Sequence, residues 1–279
     1  MPELPEMQAL AERLDAALAG VALAGVEPLG FTALKTVSPE PDAIVGAVVG
    51  GVGRRGKYLV VTFDGGRRIL VHLSQAGRVD LETPAKATRP RGAVVRFRFA
   101  DGAAVLVREH GTQRKAAWWV LDPGDEGPLA VLGPEPDDPA FAELLRTGDS
   151  PRRIHTVLRD QRTVAGLGRG YTDDALNRAG ISPFAPLRSL TPGQRTALVD
   201  AVSEVLDGAL VAERSRTGGL SAPKLGLRFA VHNRAGQPCP RCGAALLRVS
   251  YESHEIVYCA PCQTRGRVLA DRRLSRLLR

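Results

Sequence analysis

No stretch of the chain approaches the roughly 20 consecutive apolar residues that a membrane-spanning helix requires, and the first residues lack a basic segment followed by an apolar run. A cytoplasmic protein with no membrane partner is therefore expected. Cysteine is scarce: the four present all lie between positions 239 and 262. Without an export signal, a disulfide framework is not the natural reading of so few thiols. There is no internal repeat and no low-complexity tract, which argues against a solenoid array. Acidic residues are in deficit, 30 against 38 Lys and Arg, for a net charge of +8. Such a balance points to a polyanionic partner, with nucleic acid as the first candidate.

At 279 residues and 44% apolar composition the chain can hold two domains with ordinary cores. Met7, Leu10, Leu14 and Leu18 recur at helical spacing from Glu6 onward, and Gly20 closes that element. The pattern then changes to short β-rich runs, YLVVTF, RILVHL, AVVRFRF, AVLV and AAWWVL, with Asp-Gly turn signals between them. These predict an antiparallel sandwich or barrel. GPEPDDP, after about Leu132, reads as a link. Helical periodicity follows at Ile154–Leu158, Tyr171–Ala179 and Thr191–Val211, the last opening on a Thr191/Gln194 capping box with Pro192 in its first turn.

Two glycine-rich stretches imitate nucleotide motifs. GVGRRGK at 51–57 begins like a phosphate-binding loop, but Tyr58 stands where the magnesium-ligating Ser or Thr belongs, and a strand follows where a helix should. VAGLGRGY at 164–171 contains part of a dinucleotide fingerprint without the preceding strand; at the start of a helix such a turn can hold one phosphate.

The metal signal is more specific. Cys239 and Cys242 form one CxxC, Cys259 and Cys262 a second, with 16 residues between the pairs. Each pair supplies two ligands from a tight turn, and the spacer is long enough for a hairpin, so one structural zinc is expected. Two disulfides or four free thiols are the alternatives.

The opening MPELPE poses the remaining question. Pro5 and Glu6 suit a first helical turn; Pro2 and Glu3 are left without a reason. MPELPE, RRGKYL, HLSQAG, LGPEP, GLGRGY…AGISP and the terminal CxxC…CxxCQ, in that order, resemble the formamidopyrimidine-DNA glycosylase and endonuclease VIII family. The resemblance spans Pro2 to about Gln263.

It implies an α+β architecture: an N-terminal antiparallel β-sandwich with a flanking helix, then a helical helix–two-turn–helix domain ending in a four-cysteine zinc finger. The expected divisions are a catalytic domain at 1–132, a link and domain start at 133–150, a DNA-binding domain at 151–228, the finger at 229–264 and a basic extension at 265–279. The implied partner is double-stranded DNA carrying a damaged base or abasic site, bound by a monomer. The implied activity is base excision with abasic-site lyase chemistry by β/δ-elimination. Binding of damaged DNA without excision is the alternative.

Residue by residue, the resemblance makes Pro2, exposed by loss of Met1, the nucleophile, Glu3 its acid/base neighbour, and Lys57 a contact to phosphate and sugar. Gly168 and Arg169 would meet backbone phosphates, with Arg169 where the family pattern has asparagine; Asp174 matches an acidic residue of the same helix. Gln75, Gln113 and Lys115 replace the Met, Arg and Phe that fill the space left by an extruded base, with Arg114 between the last two. His254 replaces the finger arginine. Leu269, Leu274, Leu277 and Leu278 of the extension could stripe a basic helix docked on the finger; direct DNA contact is the other reading.

Overall fold

The computed structural model describes residues 2–111, 114–216, 228–250 and 255–270. These divide into two compact units: Met1–Val131 with the segment from Leu210, and Leu132–Ala209 with the chain beyond Lys224.

The first unit opens with α1 (Leu4–Leu18) and continues through β1 (Leu23–Pro28), β2 (Val49–Arg55), β3 (Tyr58–Phe63), β4 (Arg68–His72), β5 (Gly77–Glu82), β6 (Ala93–Phe99), β7 (Ala104–Glu109) and β8 (Ala117–Leu121). Two antiparallel four-stranded sheets result, ordered β1-β6-β7-β5 and β2-β3-β4-β8. Alternate residues of each strand face inward. Leu59, Phe63, Ile69, Val71, Trp118 and Val120 of one sheet meet Val79, Val95, Phe97, Phe99, Val105 and Val107 of the other in a single core. Phe97 and Trp118 pack edge to face at 5.6 Å between ring centroids. The expected apolar stripe of α1 joins that core through Met7, Leu14 and Leu18, while Leu10 is only half-buried against it. The sandwich is the expected one.

The helix starts earlier than periodicity indicates, which corrects one expectation. Glu3 is the N-cap: its backbone N–H donates to Glu6 Oε2 at 2.7 Å and its carboxylate accepts the Glu6 N–H. Two otherwise orphan donors are satisfied reciprocally. Glu3 thus has a structural reason to be acidic that a search for apolar spacing does not reveal.

The second unit contains α2 (Pro139–Thr147), α3 (Ile154–Arg159), α4 (Arg169–Ala179), α5 (Pro192–Arg214), β9 (Leu247–Ser250), β10 (Glu255–Tyr258) and α6 (Ala260–Thr264), with the end of α5 grouping with the first unit. The Thr191/Gln194 capping box is present, with Thr191 N–H to Gln194 Oε1 at 3.0 Å and Gln194 N–H to Thr191 Oγ1 at 3.3 Å. Helix α2 was not expected. Asp138 caps it and Pro139 takes its first position, so the acidic proline-rich link is a helix entry. No helix among the described residues is long and apolar enough to cross a membrane.

Candidate active site and metal centre

Pro2 immediately precedes the capped end of α1, and Glu3 is buried at 3% exposure. Lys57 is also buried, at 5%, in the two-residue turn joining β2 to β3, where Gly56 adopts a positive φ of 56°. Arg54 Nε donates to Gln8 Oε1 at 2.9 Å, which ties the end of β2 to the second turn of α1.

Beside Lys57 the outer face of β3, β4 and β8 carries an aromatic cluster. The Tyr58 ring lies 4.9 Å from the His72 ring and 5.6 Å from that of Trp119. Burial, assisted by the neighbouring Lys57 ammonium, lowers the His72 pKa to about 4. This imidazole is neutral throughout the physiological range. His72 lies inside HLSQAG yet was not singled out there, because its distinguishing property is its surroundings. Its unfolded value is near 6.5, so its contribution to stability is complete above that pH and is lost as pH falls toward 4. The proton signals of His72 should therefore not titrate above about pH 5, and His72→Asn should remove part of the parent's loss of stability between pH 6.5 and 4. An ordinary midpoint near 6.5 would refute the half-buried placement near Lys57.

Gln75 is exposed at the tip of a tight turn. Ser74 adopts φ of 52°, the Gly77 N–H donates to Leu73 O at 2.9 Å, and a Cβ on Gly77 would lie 2.2 Å from that oxygen. The His110 N–H donates to Ala76 O at 3.1 Å, and Glu109 Oε1 accepts the Lys115 N–H at 2.8 Å. The Gln75 turn and the root of the 110–116 segment are thus brought together, with Arg114 and Lys115 exposed. Gln113 and His254 lie outside the described residues, as does the extension from position 271.

In the second unit the glycine turn before α4 is held by one side chain. Gln161 Nε2 donates to Leu167 O at 2.6 Å and Gln161 Oε1 accepts the Gly166 N–H at 3.0 Å. Gly168 is the N-cap of α4 and Arg169 its first helical residue. Gly170 is required by packing: a Cβ there would lie 2.1 Å from the Phe229 ring. Along the same helix Asp173, Asp174 and Asn177 are all buried. Asp174 accepts the N–H groups of Ala230, Val231 and His232 at 2.7–3.2 Å. Asp173 accepts the Val257 N–H at 3.2 Å and contacts His155 Nε2 at 3.1 Å and His232 Nδ1 at 2.6 Å. This network was missed in the sequence; the only hint was two adjacent acids, Asp173 and Asp174, of which only Asp174 matched the family pattern. Asp173→Ala would strand three buried polar partners and should destabilise the protein by roughly 2–4 kcal/mol. Urea unfolding measures it, and a change under about 0.5 kcal/mol would show the network to be energetically idle.

The four cysteines are unbridged, and their sulfurs lie within 4.8 Å of one another. Cys239 and Cys242 sit on a turn closed by Cys239 N–H to Ala244 O at 2.8 Å and Gly243 N–H to Cys239 O at 2.9 Å; Cys259 caps α6. The antiparallel β9–β10 pair lies between, as the spacing suggests. Burial opposes the thiolate at Cys239, Cys259 and Cys262. At Cys239 hydrogen bonds from the Arg241 and Cys242 N–H groups, joined by those of Cys259 and Asn177, together outweigh burial and bring the thiol down to about 7, whereas burial pushes Cys259 up to about 12. Four sulfurs at this spacing, two of them buried, could hold a tetrahedral metal ion with bonds of about 2.3 Å. Leu269 packs with Val249, Tyr258 and Ala260, and its N–H donates to the Tyr258 hydroxyl at 2.8 Å.

Comparison with known proteins places this geometry. The formamidopyrimidine-DNA glycosylase N-terminal domain family matches residues 1–119, and the formamidopyrimidine-DNA glycosylase H2TH domain family matches 132–219. The chain belongs to the formamidopyrimidine-DNA glycosylase family. Members are DNA-binding enzymes of base-excision repair. The formamidopyrimidine-DNA glycosylase of Roseiflexus sp. (strain RS-1) is 34% identical, covering 94% of this chain and 100% of the relative. That of Chloroflexus aggregans is 35% identical, with 94% and 98% covered. Among solved structures, MutM in complex with carbocyclic 8-oxo-G containing DNA superposes with a TM-score of 0.82 at 25% identity, over 94% of this chain and 100% of that one. A Lactococcus lactis Fpg complex with abasic-site DNA gives 0.80 at 26%, over 94% and 99%. The N-terminal domain match runs from α1 into β8, and α3, the Gln161-braced turn and α4 belong to the H2TH match.

Proposed function

We propose that the protein is a bifunctional DNA glycosylase and abasic-site lyase acting on damaged bases in duplex DNA, with Pro2 as nucleophile. The reading is carried by the conjunction of the family match with an N-terminal Pro2-Glu3 pair whose carboxyl is buried and pinned by the capping box. The damaged nucleotide is extruded from the stack to reach the site. The neutral Pro2 nitrogen attacks the sugar C1′, the bond from C1′ to the base breaks, and the base leaves with a proton. Glu3, adjacent in the chain and held in one place, protonates the sugar ring oxygen as the ring opens. The resulting iminium acidifies the C2′–H; loss of that proton expels the 3′ phosphate, and water releases Pro2 from the sugar.

Lys57 and Arg169 supply positive charge to phosphates, and Gly168 allows the backbone at the start of α4 to approach one. Gln75, Gln113 and Lys115 take the positions whose side chains fill the space vacated by the base, with Arg114 between the last two as a further DNA contact, and His254 takes the position of the finger arginine that grips the lesion phosphates. Binding should weaken steeply with salt, and Lys57→Ala or Arg169→Ala should each reduce the slope of log K against log salt by about one. A variant with the parent slope loses its phosphate role.

One zinc, held by Cys239, Cys242, Cys259 and Cys262, staples the two turns of the finger and takes no part in the chemistry. Duplexes each carrying a single lesion test the function as a whole. Free base and a nicked strand are expected from at least one. The replacements at Arg169, Lys115 and His254 favour the rival, a binder of damaged DNA, and retention of duplex without base release across the whole panel would establish it.

A further inference from the structure

Asn177 lies in the last turn of α4, is 2% exposed, and touches both halves of the cysteine site. Its Nδ2 donates to Gln263 Oε1 at 3.0 Å and lies 3.7 Å from Cys239 Sγ, within reach of an N–H···S bond. Gln263 Oε1 in turn accepts the Cys259 N–H at 2.8 Å, while Gln263 Nε2 donates to Ile181 O at 2.9 Å. A single amide therefore meets a sulfur of the first CxxC directly and, through Gln263, the backbone of a ligand of the second.

The main chain of the same residue is also engaged. Arg241, inside the first CxxC, donates Nη1 to Asn177 O at 2.9 Å. That carbonyl is one of the last four of the helix, which lack a full set of intrahelical partners, and a cation suits the negative end of the dipole. Gly180, at φ of 68°, leaves room for the guanidinium, since a Cβ there would lie 2.9 Å from Arg241 Nη1. An N–H aimed at a metal-bound thiolate orients it and offsets part of its charge, the usual task of outer-shell donors. Leucine fills similar volume but cannot donate, and aspartate would place a second negative charge against the sulfur.

We propose that Asn177 is a positioning residue of the metal centre, orienting and partly neutralising the Cys239 thiolate and so tying metal occupancy to α4. The inference rests on the four-thiolate zinc reading.

Full-length protein is titrated with Zn2+ against a chromophoric chelator, and separately loaded with Co2+ to record its sulfur-to-cobalt charge-transfer bands. Asn177→Leu and Asn177→Asp should bind zinc at least about tenfold more weakly, with those bands shifted. Gln263→Leu, which removes the clasp and leaves Asn177 beside Cys239, should keep the parent band positions. Parent affinity with a superimposable cobalt spectrum in Asn177→Leu overturns the proposal; so does a weaker site with unshifted bands, which would mean that the amide acts through packing alone. If the parent itself fails to bind one zinc, the four-thiolate reading falls instead. Should the Asn177 variants not fold, the parent loaded with 113Cd supplies the decision: a cadmium-coupled Asn177 amide proton is expected, and its absence overturns the sulfur contact.

Discussion

Protein that retains Met1, or carries an N-terminal tag, is expected to leave no borohydride-stable adduct on a duplex containing one abasic site, whereas protein shown by intact mass to begin at Pro2 should be trapped on it. The effect should be close to all or none. An α-amino group has an ordinary pKa of about 7.7–8.0 against about 10.4 for lysine, so near pH 7.5 roughly a third of the former is neutral and roughly one part in a thousand of the latter. Even with some added basicity in a secondary amine, the terminal nitrogen is the better nucleophile. Pro2→Gly keeps an amine but makes it primary and flexible, and should lower trapping strongly.

Glu3→Gln separates the two tasks of that residue. A glutamine oxygen can still accept the Glu6 N–H, so the cap should survive and stability should change little, whereas Glu3→Ala should cost about 1 kcal/mol through the cap. Base excision should suffer more than cleavage of a pre-formed abasic site, where part of the reaction is already done. Native cleavage by Met1-retaining protein, with the adduct mapped to Lys57, would sink the Pro2 mechanism.

Replacing Cys259 by Ser should lower zinc affinity by more than the roughly 10–100-fold at stake in outer-shell changes, because one of four first ligands is lost. DNA binding should weaken with it. Cys259 joins β10 to α6, and the Asp173 and Asp174 contacts run from α4 to β10 and to the turn at 230–232. Loosening the finger therefore disturbs the helix that carries Arg169. Metal analysis and DNA titration on the purified variant provide the check; stoichiometric zinc retained through chromatography would contradict the four-thiolate centre.

What sequence alone determined here is whatever local chemistry specifies. Strands β3, β4, β6, β7 and β8 were legible because apolar and β-branched residues dominate them. The Thr191/Gln194 cap and the paired CxxC turns were legible because each needs only residues a few positions apart. Pro2 stood out by resemblance, not by periodicity.

Strands β1, β2 and β5 were not legible: LAGVEP, VGGVGRR and GRVDLE are rich in glycine and charge, and their extended state comes from pairing with β6, β3 and β7. The same holds for the interior of the second unit. Nothing local in Asp173 announces His155, 18 residues before it, or His232, 59 after it, and Asn177 reaches Gln263 across 86 positions. Only folding removes water from these groups, and a buried donor or acceptor must then find its partner wherever the chain brings one. Tertiary structure likewise decided that His72 is neutral, since an imidazole has no shifted pKa until burial and a neighbouring lysine supply one.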